Sequence, residues 1–146
     1  TLVDMINNLA GETIAVQFTG SIKKELRDKY IQDARNYKIK VMVGQAKILS
    51  TGINIPRASA IYEVTPSSNL ENATQRIARI LTPYEGKPTP ILRFFLDDNN
   101  VRRNCYKNEW WKLIRPKFKP IIREKDAIIW NEYLKDTKSK ANYLEF

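Results

Sequence analysis

Residues 39–80 read IKVMVGQAKILSTGINIPRASAIYEVTPSSNLENATQRIARI, and the succession of elements along this stretch decides the fold. Ile39 to Val43 (IKVMV) is a short apolar run, the pattern of a strand buried on both faces. Ala46 to Leu49 has room for one helical turn before the break at Thr51-Gly52. Ser59 to Val64 (SAIYEV) reads as a second strand. After the loop Pro66 to Asn69, Asn69 is placed to cap a helix that runs through Leu81.

The same alternation continues on both sides. Upstream, residues 1–10 form an amphipathic pattern ending before Gly11, with Leu2, Met5, Ile6 and Leu9 on one face. Thr13 to Phe18 is strand-like and closes on the turn Thr19-Gly20-Ser21. A helix from about Ile22 to Tyr37 follows, with Ile22, Leu26, Tyr30, Ala34 and Tyr37 as its apolar stripe. Downstream, Pro83, Gly86, Pro88 and Pro90 mark a turn-rich connection into the strand Ile91 to Leu96 (ILRFFL). Strands alternating with helices predict an α/β fold, an open and mainly parallel sheet flanked by helices. Ligands gather beyond the carboxyl ends of such strands, here the loops after Phe18, Val43, Val64 and Leu96.

Past Asn99 the pattern changes. Arg102 to Lys119 is aromatic and basic and is interrupted by Pro116 and Pro120. A last helix from about Glu124 to Lys135 is expected to bury Ile128, Ile129, Tyr133 and Leu134, with Trp130 at its edge. The expected organisation is therefore a lobe over residues 1–98 and a basic, aromatic, helical or irregular extension over 99–146.

Composition narrows the chemistry. The 146 residues contain one cysteine, Cys105, and no histidine, which excludes Ser-His and Cys-His catalysis and makes a zinc site improbable; no metal is expected on this chain. With no apolar run near the roughly 18 residues of a span and no leader-like start, the expectation is an intracellular chain, neither secreted nor membrane-bound. Lys and Arg total 25 against 16 Asp and Glu, a formal charge of +9 that favours polyanions such as nucleic acid. Arg102 to Arg123 concentrates that charge, with Glu109 the one acid among eight cations.

Two segments carry candidate chemistry. In GQAKILSTGINIP (Gly44 to Pro56), Ser50 and Thr51 supply hydroxyls and Gly52 allows close backbone approach, the needs of a phosphate-binding loop. An ordinary strand-to-helix connection would use the same glycine to relieve backbone strain. In NATQRIARI (Asn72 to Ile80), Arg76 and Arg79 project from neighbouring positions of one helix flank, with Ile77 and Ile80 toward the core. Arginine donates two parallel hydrogen bonds to phosphate and stays charged, although two solvated arginines on a surface helix look alike in isolation.

The order of strand, STGINIP, strand, QRIAR, GKPTP turn and strand ending in Asp97-Asp98 resembles motifs V and VI of superfamily-two helicases. The resemblance runs from about Leu9 to Asp98 and is closest in flavour to phage UvsW-type or restriction-type DNA translocases. It implies the second RecA-like lobe of an ATP-dependent motor on nucleic acid, DNA favoured over RNA. Its ATP and Mg2+ would be held by an N-terminal lobe of the same protein. Carried over by position, Thr51 and Gly52, with Ser50, would contact the nucleic-acid backbone, and Asn54 would face the nucleotide. Asn54 could equally face the coupling interface between lobes, Gln75 and Arg76 would support the interlobe nucleotide site, and Arg79 would be a γ-phosphate finger. The turn at Thr19, Gly20 and Ser21 would make a further backbone contact.

The sequence departs from the family pattern at three places. Ala78 replaces the glycine of the arginine motif, Thr82 stands where its last arginine is usual, and Gln45 precedes the loop where Ser or Thr is common. Either Arg79 works alone, or Arg93 or Lys87, nearby in sequence, substitutes for the missing finger, or hydrolysis is weak. The stretch has no GxxxxGK[ST] loop, and the expectation is a fragment lacking its first strand and its ATP-holding partner, inactive as an ATPase by itself. A non-catalytic nucleic-acid-binding or protein-interaction module built on the same lobe is the alternative. In YKNEWWKLIRPKFKP (Tyr106 to Pro120), the tryptophans are expected to pack on the lobe while some lysines approach nucleic acid.

Overall fold

Each turn of the chain has a local cause in the computed structural model, which describes residues 1–50, 53–66, 69–97 and 99–135. Helix α1 (Leu2–Ala10) starts on a capping box between Thr1 and Asp4 and stops at Gly11, whose φ of 70° suits a residue without Cβ. It docks onto strand β1 (Ala15–Phe18) through a polar clamp. The Asn7 carbonyl oxygen accepts from the amides of Ile14 and Ala15 at 2.9 and 2.8 Å, and its amide donates to the Ala15 carbonyl at 3.0 Å. That clamp turns the expected apolar face outward: Leu2, Met5 and Leu9 are exposed, and Val3, Ile6 and Asn7 are half-buried.

Helix α2 (Lys24–Arg35) leads to strand β2 (Val41–Gly44), which pairs in parallel with β1 from Ala15–Val41 to Phe18–Gly44. Its buried residues are Ile31 and Ala34. Of the expected stripe, Ile22 precedes the helix, Leu26 is exposed, and Tyr37 lies beyond the helix end with φ 64° and is exposed. After the short helix α3 (Ala46–Ser50), strand β3 (Ala60–Glu63) pairs in parallel with β4 (Ile91–Phe94). Helix α4 (Leu70–Leu81) lies between them in sequence, with the Asn69 side chain accepting from the Asn72 amide at 3.0 Å as its cap. The predicted parallel α/β architecture is thus present, its strands hydrogen-bonded as the pairs β1–β2 and β3–β4 among the described residues.

Residues 99–135 are mostly helical: α5 (Asn100–Glu109), a π-helix (Trp110–Phe118) and α6 (Glu124–Lys135). These residues supply the larger core. Tyr106, Trp110, Leu113, Ile114, Trp130 and Tyr133 close over Ala73 and Ile77 of α4, with Leu92 and Phe94 of β4 alongside. A smaller core of Val16, Ala34 and Ile39 serves the β1–β2 half. The last helix is rotated from its expected setting: Trp130 is buried, whereas Ile128 and Ile129 are 67% and 59% exposed. The reason is aromatic packing, since the Trp130 ring lies 5.3 Å from Trp110 and 5.7 Å from Tyr133, a cluster that no isoleucine could complete. No helix among the described residues is long and apolar enough to cross a membrane.

Candidate nucleotide and nucleic-acid interface

The Thr19-Gly20-Ser21 turn and the helix leading into STGINIP follow the carboxyl ends of β1 and β2. A Cβ built on Gly44 would fall 2.1 Å from the Phe18 carbonyl oxygen, so only glycine lets the two strand ends meet here. The chain then enters α3, and Ile48 of that helix packs beside Gly20, where a Cβ would meet its Cδ1 at 3.4 Å. Thr19 and Ser21 share a hydroxyl hydrogen bond of 3.0 Å across the turn. The Thr19-Gly20-Ser21 turn and the segment leading into STGINIP are therefore neighbours. Ser50 is the last residue of α3, while Thr51 and Gly52 lie outside the described residues.

The two arginines of α4 part ways. Arg76 turns inward, is buried, and donates from Nη2 to the Glu63 carboxylate at 2.8 Å. Glu109 of α5, fully buried, approaches the same nitrogen at 4.0 Å. One guanidinium thus faces two acids. Burial, then the Glu63 charge, push the Glu109 carboxyl up to about 8 against the opposing pull of Arg76. At neutral pH Glu109 is therefore held protonated, which spares the buried cluster a second carboxylate charge.

Arg79, one turn on, reaches back to α3 and donates from Nη1 to the Leu49 carbonyl at 2.7 Å. Partial burial lowers its pKa, although an arginine remains charged throughout the working range. Gln75 is exposed on the outer flank. Thr82, at the position of the usual last arginine, donates its hydroxyl to the Ala78 carbonyl at 3.3 Å. Lys87 is engaged by the carbonyls of Pro56 and Thr82 at 3.0 and 2.8 Å, which ties the end of the STGINIP segment to the end of the arginine helix. Arg93 is exposed on β4.

Asn54 is exposed, and its carbonyl accepts from Arg35 Nε at 2.8 Å. With Arg35, Pro56, Arg57 and Tyr84 it lines an open hollow of about 430 Å³. Arg57 is braced there, its Nε on the Tyr84 hydroxyl at 3.1 Å and its guanidinium over the rings of Tyr84 and Tyr37 at 5.2 and 5.6 Å. Sequence reading passed over Glu63, Arg57 and Tyr84 and took Glu109 only as an acid among cations. Glu63 did carry a signal, because an acid inside the apolar run SAIYEV demands a buried partner. Asp97 has a structural part: it accepts from the Asn99 amide and from Arg102, which hold its carboxyl below the usual range, and its carbonyl accepts from Tyr133. Its neighbour Asp98 lies outside the described residues.

Residues 2–82 match the family model described as the helicase conserved C-terminal domain. Among solved structures, the chain resembles the yeast DEAD-box splicing factor Prp28 with a TM-score of 0.60 and 19% identity, over 99% of this chain and 30% of that one. It resembles the Mycobacterium smegmatis helicase Lhr bound to single-stranded DNA and AMP-PNP with a TM-score of 0.56 and 18% identity, over 78% of this chain and 14% of that one. The C-terminal domain of the DEAD-box protein Dbp5 aligns with a TM-score of 0.55 and 19% identity, over 90% of this chain and 76% of that one. No curated protein matches. These likenesses concern the fold, and they lend no support to DNA over RNA or to the phage and restriction-type flavour.

Proposed function

The chain belongs to the helicase conserved C-terminal domain family, and on that premise we propose that it is the arginine-finger lobe of an ATP-driven motor on nucleic acid. Superfamily-two helicases and translocases carry this domain as their second RecA-like lobe, and the chain spans only 14% and 30% of the Lhr and Prp28 chains. ATP, its Mg2+ and the lobe that holds them belong to this proposal.

One observation supports it above the others: the Arg79 guanidinium rests on the Leu49 carbonyl, one residue before Ser50-Thr51-Gly52. A γ-phosphate would compete for that guanidinium, because its charged oxygens accept two parallel hydrogen bonds from the planar fork where the carbonyl accepts one. Drawing Arg79 toward phosphate would release the end of α3, and with it the loop that in this reading grips the nucleic-acid backbone. The Gly20 turn packs on that same helix at Ile48 and would move with it. Arg76 works differently in this scheme: fixed on Glu63, it holds α4 against β3 and so fixes the place from which Arg79 reaches. Gln75 and Asn54, both exposed, are the companion contacts to nucleotide.

The test is turnover by the motor complete with its N-terminal lobe. Arg79→Ala is expected to lower nucleic-acid-stimulated ATPase on the order of 10³-fold or more, the usual worth of an arginine finger, with oligonucleotide affinity held within about twofold. Unchanged turnover in the variant would refute the finger assignment, and no turnover in the parent protein would instead favour a non-catalytic nucleic-acid module, a reading that Thr82 in place of the last arginine supports.

A further inference from the structure

The π-helix has two sides of opposite character. Trp110, Leu113 and Ile114 face the core and are buried, with Phe118 half-buried behind them. Trp111, Lys112, Arg115 and Lys117 face outward, all exposed, and Lys119 follows at the end. Trp111 is 49% exposed although its neighbour Trp110 shows that the core accepts an indole at this level. The Arg115 guanidinium lies over the Trp111 ring at 4.8 Å, and Lys117 Nζ lies 5.7 Å from the Phe118 ring centroid. From Trp110 to Arg123 the sequence has no acid at all, while Glu109 just before it is buried.

We propose that this outward face is a binding site for single-stranded nucleic acid, separate from the STGINIP loop and its neighbouring turn. A base has a π-face that stacks on an exposed indole, and the successive phosphates require cations spaced along the path. Trp111 supplies the first and Lys112, Arg115, Lys117 and Lys119 the second. Arg115 already holds the indole from one side, so the ring is pre-positioned for a base against its other face, or for a base that replaces the guanidinium and leaves it to a phosphate. An acidic protein would meet the same cations, but a half-exposed indole set among them offers the stacking face that a base requires. The indole therefore decides for nucleic acid.

The 146-residue chain itself serves for the test, with a fluorescein-labelled oligo-dT or oligo-U of about 20 nucleotides at low salt, a length that covers the roughly 4–16 nucleotides of such sites. Because Trp110 and Trp130 are buried, quenching of the intrinsic fluorescence by the oligonucleotide reports chiefly on Trp111. Trp111→Ala should abolish the quenching and weaken binding roughly tenfold, while Trp111→Phe retains most of the affinity. Lys112→Ala with Lys117→Ala should flatten the slope of log K against log salt by about 1.4. Circular dichroism matching that of the parent chain checks that these surface variants fold. Affinity and salt slope unchanged in all three variants would overturn the proposal and assign any binding to the lobe's own loops. So would polyglutamate bound as tightly as the oligonucleotide. ATPase of the Arg79 variant is unaffected by either result, so the site and the motor reading fail separately.

Discussion

Replacing Glu109 with glutamine is expected to change how the stability of this chain depends on pH. The carboxyl is fully buried, 4.0 Å from Arg76 and close to the Glu63 charge, and is pushed from an ordinary 4.5 up to about 8. The unfolded chain releases this proton near pH 4.5, whereas the folded chain keeps it to about pH 8. Between those values the folded state binds more protons, so the contribution of Glu109 to stability is full below pH 4.5 and falls as pH rises toward 8. The slope is at most about 1.4 kcal/mol per pH unit, or up to roughly 3 kcal/mol between pH 5 and 7. A domain has only about 5–15 kcal/mol in all, and a urea dependence of about 1–3 kcal/mol per molar converts the loss into a midpoint lower by on the order of 1 M. The chain has no histidine to confuse that window, and burial raises the Cys105 thiol from its ordinary 9. Urea unfolding at pH 5, 6, 7 and 8, followed by tryptophan fluorescence, reads the effect directly. Glu109→Gln keeps the shape, has no proton to lose, and should be nearly flat across the window. Parallel profiles for the two proteins would refute the assignment of a buried, protonated Glu109.

Other outcomes follow from single contacts. Gly44→Ala places a methyl group 2.1 Å from the Phe18 carbonyl and should destabilise by about 1–3 kcal/mol or more, read as a lower urea midpoint. Trp110→Ala should cost about 3–5 kcal/mol because it empties part of the core, whereas Trp111→Ala, half-exposed, should cost less than about 1 kcal/mol in the same assay. In the complete motor, Arg79→Lys should restore little of the turnover lost in Arg79→Ala, since an ammonium lacks the planar fork that spans two phosphate oxygens.

The periodicity of the chain announced its elements and their kind. The alternation around VMVG, AIYE and ILRF, the cap at Asn69 and the apolar spacing of α4 are local properties, and the structure has parallel strands and helices where they indicate. The motif spacing also announced the family, because STGINIP and QRIAR are short runs whose order survives in one dimension. Side-chain destinations were less legible. Arg76 and Arg79 look alike in the sequence, yet one lies buried on Glu63 and the other reaches Leu49. The sequence could not separate them because their partners come from β3, α5 and α3, 13, 33 and 30 positions away.

The sequence by itself determined the fold class, the arginine-bearing helix and the basic character of the extension, since each depends on neighbours within a few residues. Tertiary structure alone decided which tryptophans are buried, which isoleucines of α6 face outward, and that residues of α5, the π-helix and α6 roof the core over α4. Burial is a property of surfaces brought together from distant segments, and so is the buried charge set up where Glu109 meets Arg76.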